Sequence, residues 1–196
     1  MKKLFLMVAV VLFGLVLTAC DNLGPREKSL RNALKSLSEA SNYQINIKID
    51  DQDEEFNMVL KFDGELSYFK MNEVEEYYEE TASRMVVYRV VGDKVTVTRE
   101  DKKEADPYQF LSLMTYDLFE YVESADHYLL INGNETLPKQ FVQTVFENAI
   151  VANFKISVTG NVISEVLFDI VHNDEVFPVQ MTYSNFGSVS LTLPTV

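Results

Sequence analysis

Apolar residues recur every three or four positions near the start of the chain and every second position soon afterwards. Pro25 opens a stretch that runs to about Asn42, and its apolar residues form one helical stripe: Leu30, Ala33, Leu34, Leu37 and Ala40. From Tyr43 the spacing changes, because isoleucines now alternate with polar residues as far as Asp50. The sequence therefore predicts an amphipathic helix followed by a half-buried strand.

Alternating segments separated by turn residues continue through much of the chain. Asp63-Gly64 and Gly92-Asp93 are typical hairpin turns, and Asn132-Gly133 ends a short strand that begins at His127. The other strands predicted before the middle of the chain cover residues 56–62, 65–71, 76–81, 85–91 and 94–99. A four-strand meander is predicted at the end, over 150–158, 162–171, 176–184 and 188–193, with turns at Gly160-Asn161 and Asn173-Asp174. One apolar face on each strand favours an antiparallel sheet.

Two further helices are predicted between these strands. Asp106-Pro107 is typical of a helix start, and the helix is expected to run to about Val122. Its circumference is largely apolar or aromatic, through Tyr108, Phe110, Leu111, Leu113, Met114, Leu118, Phe119 and Tyr121. Pro138 opens the other helix, with a stripe of Phe141, Val142, Val145, Phe146 and Ala149. No repeat or second domain boundary interrupts the pattern, so residues 25–196 are expected to form a single domain.

The first twenty residues have the layout of an export signal. Lys2 and Lys3 precede an apolar run from Leu4 to Leu17, which is shorter than the roughly 20 residues of a membrane-spanning helix. Leu17-Thr18-Ala19-Cys20 follows and resembles the lipobox of bacterial lipoproteins. The resemblance implies that the Cys20 thiol receives diacylglycerol and that a peptidase cuts before it. Residues 1–19 are then a signal peptide and 20–24 a lipidated tether; the alternative is a secreted protein with a chance cysteine.

Cysteine count and charge restrict the other partners. Cys20 is the only cysteine, so no internal disulfide or cysteine-based metal site can form. The formal charge is −13, and removal of residues 1–19 takes away two of the 17 basic residues and leaves 15 against 30 acidic ones, or −15. Such a chain repels nucleic acid and lacks a basic membrane-binding patch. Asp21 resembles the signal that retains lipoproteins on the inner membrane, so we expect lipid anchoring on the outer, extracytoplasmic face of the cell membrane.

The order of elements and the end of the chain resemble a known fold. The first helix leads into the strand at 43–50, and the chain ends with 177–187, which contains Tyr183-Ser184-Asn185-Phe186-Gly187, followed by 189–194. These features are similar to the LolA, LolB and LppX type of lipoprotein. The resemblance implies an α+β fold in which a curved antiparallel sheet of about 9–11 strands, a half-barrel, wraps around helices on its concave side.

The sequence contains no recognisable catalytic motif. His127 and His172 are about 45 residues apart and lack metal-ligand spacing, so no metal ligand or cofactor is predicted beyond the acyl chains on Cys20. The acidic run 50–55 could bind calcium, but it lacks the glycine and closing glutamate of an EF-hand loop, and a solvated loop is the favoured interpretation. The sequence therefore predicts a protein that is not an enzyme.

A surplus of aromatic residues and methionine suggests two functions. In one, a cavity between sheet and helices accepts an acyl chain or another apolar ligand, lined by Phe56, Leu60, Phe62, Phe110, Met114, Phe119 and Phe141. In proteins of the resembled fold this cavity carries lipoproteins or glycolipids. In the other, the same residues fill a solid core, and the lipoprotein has a structural role or engages an envelope protein partner.

Overall fold

Among the residues that the structure describes, one antiparallel sheet of eleven strands carries the fold, and two α-helices lie on its concave side. The computed structural model describes residues 23–51, 54–101, 107–143 and 146–195. The strand order is β6-β5-β4-β3-β2-β1-β11-β10-β9-β8-β7, so the sheet is open, with β6 and β7 at its edges. The predicted α+β half-barrel and its strand number are confirmed.

The elements have these bounds. The strands are β1 (Asn42–Asp51), β2 (Glu54–Asp63), β3 (Leu66–Met71), β4 (Val74–Glu80), β5 (Arg84–Val91), β6 (Lys94–Asp101), β7 (Phe119–Val122), β8 (His127–Leu130), β9 (Ile150–Thr159), β10 (Val162–His172) and β11 (Glu175–Ser184). The α-helices are α1 (Pro25–Glu39) and α2 (Thr136–Gln143). Three 3₁₀ helices cover Pro107–Leu113, Tyr116–Leu118 and Glu123–Ala125.

The first and last strands pair at the centre of the sheet. Ile47 of β1 lies opposite Met58 of β2 on one side and Met181 of β11 on the other. Ile47 and Met181 are fully buried, so this seam belongs to the hydrophobic core. Strands β2 to β6 follow in order on one side of this seam, and strands β10, β9, β8 and β7 follow in order on the other.

The first helix begins at Pro25 as predicted, ends at Glu39 where about Asn42 was expected, and covers the β9–β10 side of the sheet. Pro25 occupies its first turn, where the missing N–H costs nothing, and the Glu27 carboxylate accepts the Gly24 N–H at 2.6 Å. Its buried stripe consists of Leu30, Ala33, Leu34 and Leu37. The helix contacts β9, β10 and the first two 3₁₀ helices, which fixes it over one half of the sheet.

The predicted helix from Pro107 to Val122 is wrong. This segment forms two short 3₁₀ helices, closed by i to i+3 bonds such as Met114 N–H to Leu111 O at 3.1 Å, and then strand β7. Residues 119–122 pair with β8, with Phe119 opposite Leu130 and Val122 opposite His127. Aromatic and β-branched residues near the end of this segment favour that pairing over a helix.

The helix predicted from Pro138 to about Ala149 is shorter and begins earlier. It spans Thr136–Gln143 and buries Pro138, Phe141 and Val142. Val145 lies outside the described residues. Phe146 follows the helix, although its N–H still donates to Val142 O at 2.9 Å.

No strand forms at the predicted position 188–193. The preceding strand, β11, already pairs with β1 and β10 along its two edges, so the last residues find no free edge there. Their backbone instead binds side chains: the Val189 N–H donates to Asn42 Oδ1 at 2.7 Å and the Leu191 N–H to Asp63 Oδ2 at 3.0 Å. Residues 189–191 therefore form an extended tail next to the start of β1 and the end of β2.

Turn chemistry explains most of the hairpins. Asn173 and Asp174, predicted as the turn before β11, both have positive φ, at 53° and 66°. In the β2–β3 hairpin Asp63 pairs with Leu66, so the two turn residues are Gly64 and Glu65, one position later than predicted. Gly64 has φ of 64°, a conformation that its missing side chain permits.

Candidate ligand-binding face

An apolar patch lies on the concave face of β1 to β4, beyond the part of the sheet that α1 covers. Cross-strand register places its members on one face, because Ile49 opposes Phe56, Met58 opposes Met71, and Met71 opposes Val74. Phe69 completes it, next to the buried Leu60. We call this set the inner patch: Ile49, Phe56, Met58, Phe69, Met71 and Val74.

The inner patch is half-buried, unlike the core beside it. Met71 is 37% exposed, whereas Ile47 and Leu60, on the same face, are 1% and 3% exposed. Contacts between the described α-helices and the sheet are concentrated on β9 and β10. The patch therefore continues the core outward along β1 to β4 as apolar surface that a ligand could cover.

A polar rim borders the inner patch on the side of β4 and β5. Glu76 lies directly opposite Phe69, and its carboxylate pairs with Arg89 at 3.4 Å. The Tyr78 hydroxyl also donates to Glu76. Beside Phe69 the apolar surface thus gives way to a neutralised ion pair, whereas beside Val74 it continues to Val91 of β5. This arrangement suits an amphiphile with a long apolar portion and a polar end.

Most of the residues predicted to line a cavity lie in the packed core. Phe110 and Phe141 stack with ring centroids 4.9 Å apart, and Phe119 lies 6.3 Å from Phe154. Six of the seven are less than 9% exposed: Leu60, Phe62, Phe110, Met114, Phe119 and Phe141. Phe56 alone is half-buried, and it belongs to the inner patch.

The structure separates these seven residues into two groups. Phe56, Leu60 and Phe62 follow one another along the concave face of β2, where Phe62 stacks on Tyr43 at 4.7 Å. The other four, Phe110, Met114, Phe119 and Phe141, lie in the layer formed by the 3₁₀ helices, β7 and α2.

A second concavity lies between α1 and the first two 3₁₀ helices. It has a volume of about 400 Å³, and Met114 is the one predicted cavity residue that lines it. The other lining groups are mixed in character: Arg31, Leu34, Lys35, Ser38, Ser112, Leu113, Thr115, Tyr116 and Asp117. The groove is more polar than the inner patch, and Leu113 at its rim is 62% exposed.

The described residues offer little to a metal ion. Among them, no group of three or more His, Cys, Asp or Glu side chains is arranged to hold one. His172 contacts the Phe146 ring at 5.8 Å between centroids, and His127 Nδ1 lies 3.2 Å from Ala125 O. The acidic run at 50–55 is described only in part, and there Glu55 forms an ion pair with Lys48.

The proposed lipidation site lies outside the described residues. Cys20 and the signal peptide before it belong to the first 22 residues, so the predicted anchor and the 20–24 tether stay predictions. In the part of the chain that the structure describes, neither α-helix combines the length and apolar character needed to cross a bilayer.

Sequence reasoning missed most of the inner patch. Phe56 was predicted to contact a ligand and belongs to the inner patch, but Phe69, Met71 and Val74 join it only through the pairing of β2 with β3 and of β3 with β4. Alternation along one strand shows which residues share a face. Aligning the β2–β3 and β3–β4 hairpins by the positions of their turns would have placed these side chains on one face.

The fold defines a class, an open antiparallel half-barrel with helices on its concave side. Among solved structures, the chain is similar to LprF from Mycobacterium bovis, with a TM-score of 0.46 and 11% identical residues; the match covers 88% of this chain and 97% of that one. No protein-family model matches the chain, and no curated protein matches it.

Proposed function

We propose that this protein is a lipid-anchored lipoprotein of the cell envelope that binds an acyl chain or another apolar ligand on the concave face of its half-barrel. It acts by binding and not by catalysis. The observation that carries the proposal is the inner patch, a half-buried apolar surface continuous with the core and bordered by the Glu76–Arg89 pair. The anchor is the acylated Cys20, which holds the domain at the extracytoplasmic face of the plasma membrane.

The driving force for binding is burial of apolar surface. Each methylene group removed from water contributes about 0.8 kcal/mol, so eight buried methylenes supply roughly 6 kcal/mol before the entropic costs of binding. Half-exposed methionines suit this task, because their flexible thioether side chains adapt to the irregular outline of an acyl chain.

Ligand binding is tested by mass spectrometry of lipid extracted from the purified protein, together with displacement of a fluorescent fatty acid. Met58→Asp places a charge in the inner patch and is expected to weaken probe binding at least tenfold. Val59→Asp is the matched control, because the neighbouring residue on the same strand points to the opposite face. Equal probe binding by both variants, or no binding by the parent protein, would refute the inner patch as the site.

The anchor is tested separately. Cys20→Ala is expected to abolish incorporation of labelled palmitate and to leave the signal peptide uncleaved, whereas fatty-acid binding by the domain stays unchanged. Palmitate labelling that persists in Cys20→Ala would contradict the anchor without bearing on the ligand.

A second candidate function is supported by the packing of the predicted cavity residues. Six of the seven are buried, and Phe110 and Phe141 stack directly on each other, as expected for a solid core. In that case the protein is a structural or protein-interaction lipoprotein without a small ligand. Absence of co-purified lipid and of probe binding, combined with recovery of one defined envelope protein by pull-down, would favour this function over the first.

A further inference from the structure

The two edges of the sheet differ in length and exposure. β7 has four residues, whereas β6 has eight, and most of those eight are exposed. β6 pairs with β5, and no other described strand lies along its outer edge. A long, uncovered edge offers a row of backbone groups to another strand, so folded proteins usually shorten or cover it.

Hairpin geometry decides which backbone groups face outward. The two-residue turn Gly92-Asp93 makes Val91 and Lys94 the first hydrogen-bonded pair of the β5–β6 hairpin. Even-numbered residues of β6 therefore bond to β5, and the N–H and C=O groups of the odd-numbered residues, Val95, Val97, Arg99 and Asp101, point away from the sheet. A strand that pairs with this edge must use these outward groups.

The sequence of β6 is complementary to itself in one antiparallel register. When two copies are centred on Val97, Lys94 of each copy opposes Glu100 of the other, Val95 opposes Arg99, and Thr96 opposes Thr98. The one like-charged pair, Asp101 opposite Asp93, falls where the strand ends and the turn begins. This register also uses the outward-pointing groups of Val95, Val97 and Arg99. Centring on Thr98 loses both Lys–Glu pairs, and centring on Arg99 sets two guanidinium groups against each other.

The outer face of the sheet would continue across such a pairing. Tyr68, Tyr77, Tyr88 and Val97 form one row across β3 to β6, because each opposes the next. The Tyr68 and Tyr77 ring centroids are 4.9 Å apart. With Val97 opposite Val97 of a second copy, the row becomes a continuous stripe of apolar and aromatic side chains shared by both copies.

Local charge permits this contact in an acidic protein. The whole chain has a formal charge of −13, but the β5–β6 hairpin from Arg84 to Asp101 contains four basic and three acidic residues. Two copies therefore meet at one of the few places where the net charge does not repel them.

We propose that two copies of this chain pair through β6, antiparallel and centred on Val97, to join their half-barrels into one continuous sheet. The partner is a second copy because this register sets complementary residues against each other: two Lys94–Glu100 pairs, a central Val97–Val97 contact and a shared row of aromatic side chains on the outer face.

Disulfide trapping tests the register. Val97→Cys in the full chain with Cys20→Ser leaves one thiol, and the opposed Cα atoms lie about 5.5 Å apart, within disulfide range. Oxidation should convert most of this variant to dimer. Val95→Cys is the control, because its two copies are four residues apart along the strands. A dimer that forms equally with Val95→Cys, or with Thr96→Cys and not Val97→Cys, overturns the proposed register.

Charge exchange tests the pairing without relying on a thiol. Lys94→Glu or Glu100→Lys alone places like charges opposite each other twice and should weaken dimerisation about tenfold in sedimentation velocity. The double variant Lys94→Glu with Glu100→Lys should restore it to within about threefold of the parent. A monomeric parent chain at about 100 μM, or a double variant as weak as the single ones, refutes the proposal.

Discussion

Replacement of Asn42 by alanine is expected to release the C-terminal tail. The Asn42 amide nitrogen donates to Asp63 Oδ1 at 2.9 Å and to Val189 O at 2.7 Å, and its oxygen accepts the Val189 N–H at 2.7 Å. One side chain thus replaces the partner strand that the tail lacks. Asn42→Ala removes all three hydrogen bonds. Of the described bonds that the Asn42 and Asp63 side chains form with the tail, the one from the Leu191 N–H to Asp63 then remains.

The size of the effect follows from the number and burial of these bonds. A hydrogen bond contributes about 0.5–1.5 kcal/mol net, and Asn42 is half-buried, so water compensates part of the loss. We expect the free energy of unfolding to fall by about 2 kcal/mol. Asn42→Asp should cost more, because it places a second carboxylate next to Asp63 and removes the amide donor.

Urea unfolding and amide hydrogen exchange measure the two consequences together. The Val189 and Leu191 amides should lose protection in Asn42→Ala, while the β1 amides keep theirs. Asn57→Ala is a suitable control, because that exposed amide makes one described hydrogen bond, to Glu55, and its loss should change stability by less than about 0.5 kcal/mol. Unchanged protection of Val189, with a stability equal to that of the control, would refute the role assigned to Asn42.

Three further predictions concern the core and the outer face. Burial and the neighbouring Glu75 carboxylate raise the pKa of Tyr68 to about 12, so folded Tyr68 keeps its proton at a higher pH than in the unfolded chain. The stability that this protonated hydroxyl contributes is present below about pH 10 and is lost as the pH rises towards about 12. Tyr68→Phe should therefore lose less stability than the parent protein between these pH values, as measured by urea unfolding. A Tyr68→Phe pH profile equal to that of the parent would contradict this prediction. The buried Tyr183 hydroxyl has no hydrogen-bond partner among the described residues, so Tyr183→Phe should raise the free energy of unfolding by about 1 kcal/mol, and a destabilised variant would show a hidden partner. Phe141→Ala should lower it by about 3–5 kcal/mol, because Phe141 stacks on Phe110 in the core, and a loss below about 1 kcal/mol would indicate loose packing.

Local pattern predicted the strands that form β1, β2, β10 and β11 well, because each of these has one buried face. It also predicted a strand at 188–193, which does not form. It failed where tertiary pairing outweighed periodicity, as at 107–122, whose apolar residues fit both a helix and the observed 3₁₀ turns followed by β7. A bulge caused another error. Asn153, with φ of 53°, shifts the register of β9 against β10, and so Val151 is buried, although strict alternation along 150–158 from Phe154 and Ile156 would bury Ala152.

The candidate site shows a different limit of sequence reasoning. Composition indicated a surplus of aromatic residues, but it could not separate filled core, such as Phe110, from the half-buried surface around Met58. That distinction depends on which strands α1 covers, and its position over β9 and β10 results from contacts far apart in the chain. The signal that could have helped was the pairing register of β2, β3 and β4.

The central pairing of β1 with β11 governs when the protein can finish folding. Hairpins from β1 to β6 can form as soon as their residues are available, but Ile45, Ile47 and Ile49 then line a strand whose second edge stays open until residues 179–184 arrive to fill it. Closure across so long a stretch of chain is slow, and the open edge is a template for aggregation in the meantime. Expression that stops short of β11 should therefore yield insoluble material, and a helper that shields β1 during synthesis or export would serve this chain better than one that shields its helices.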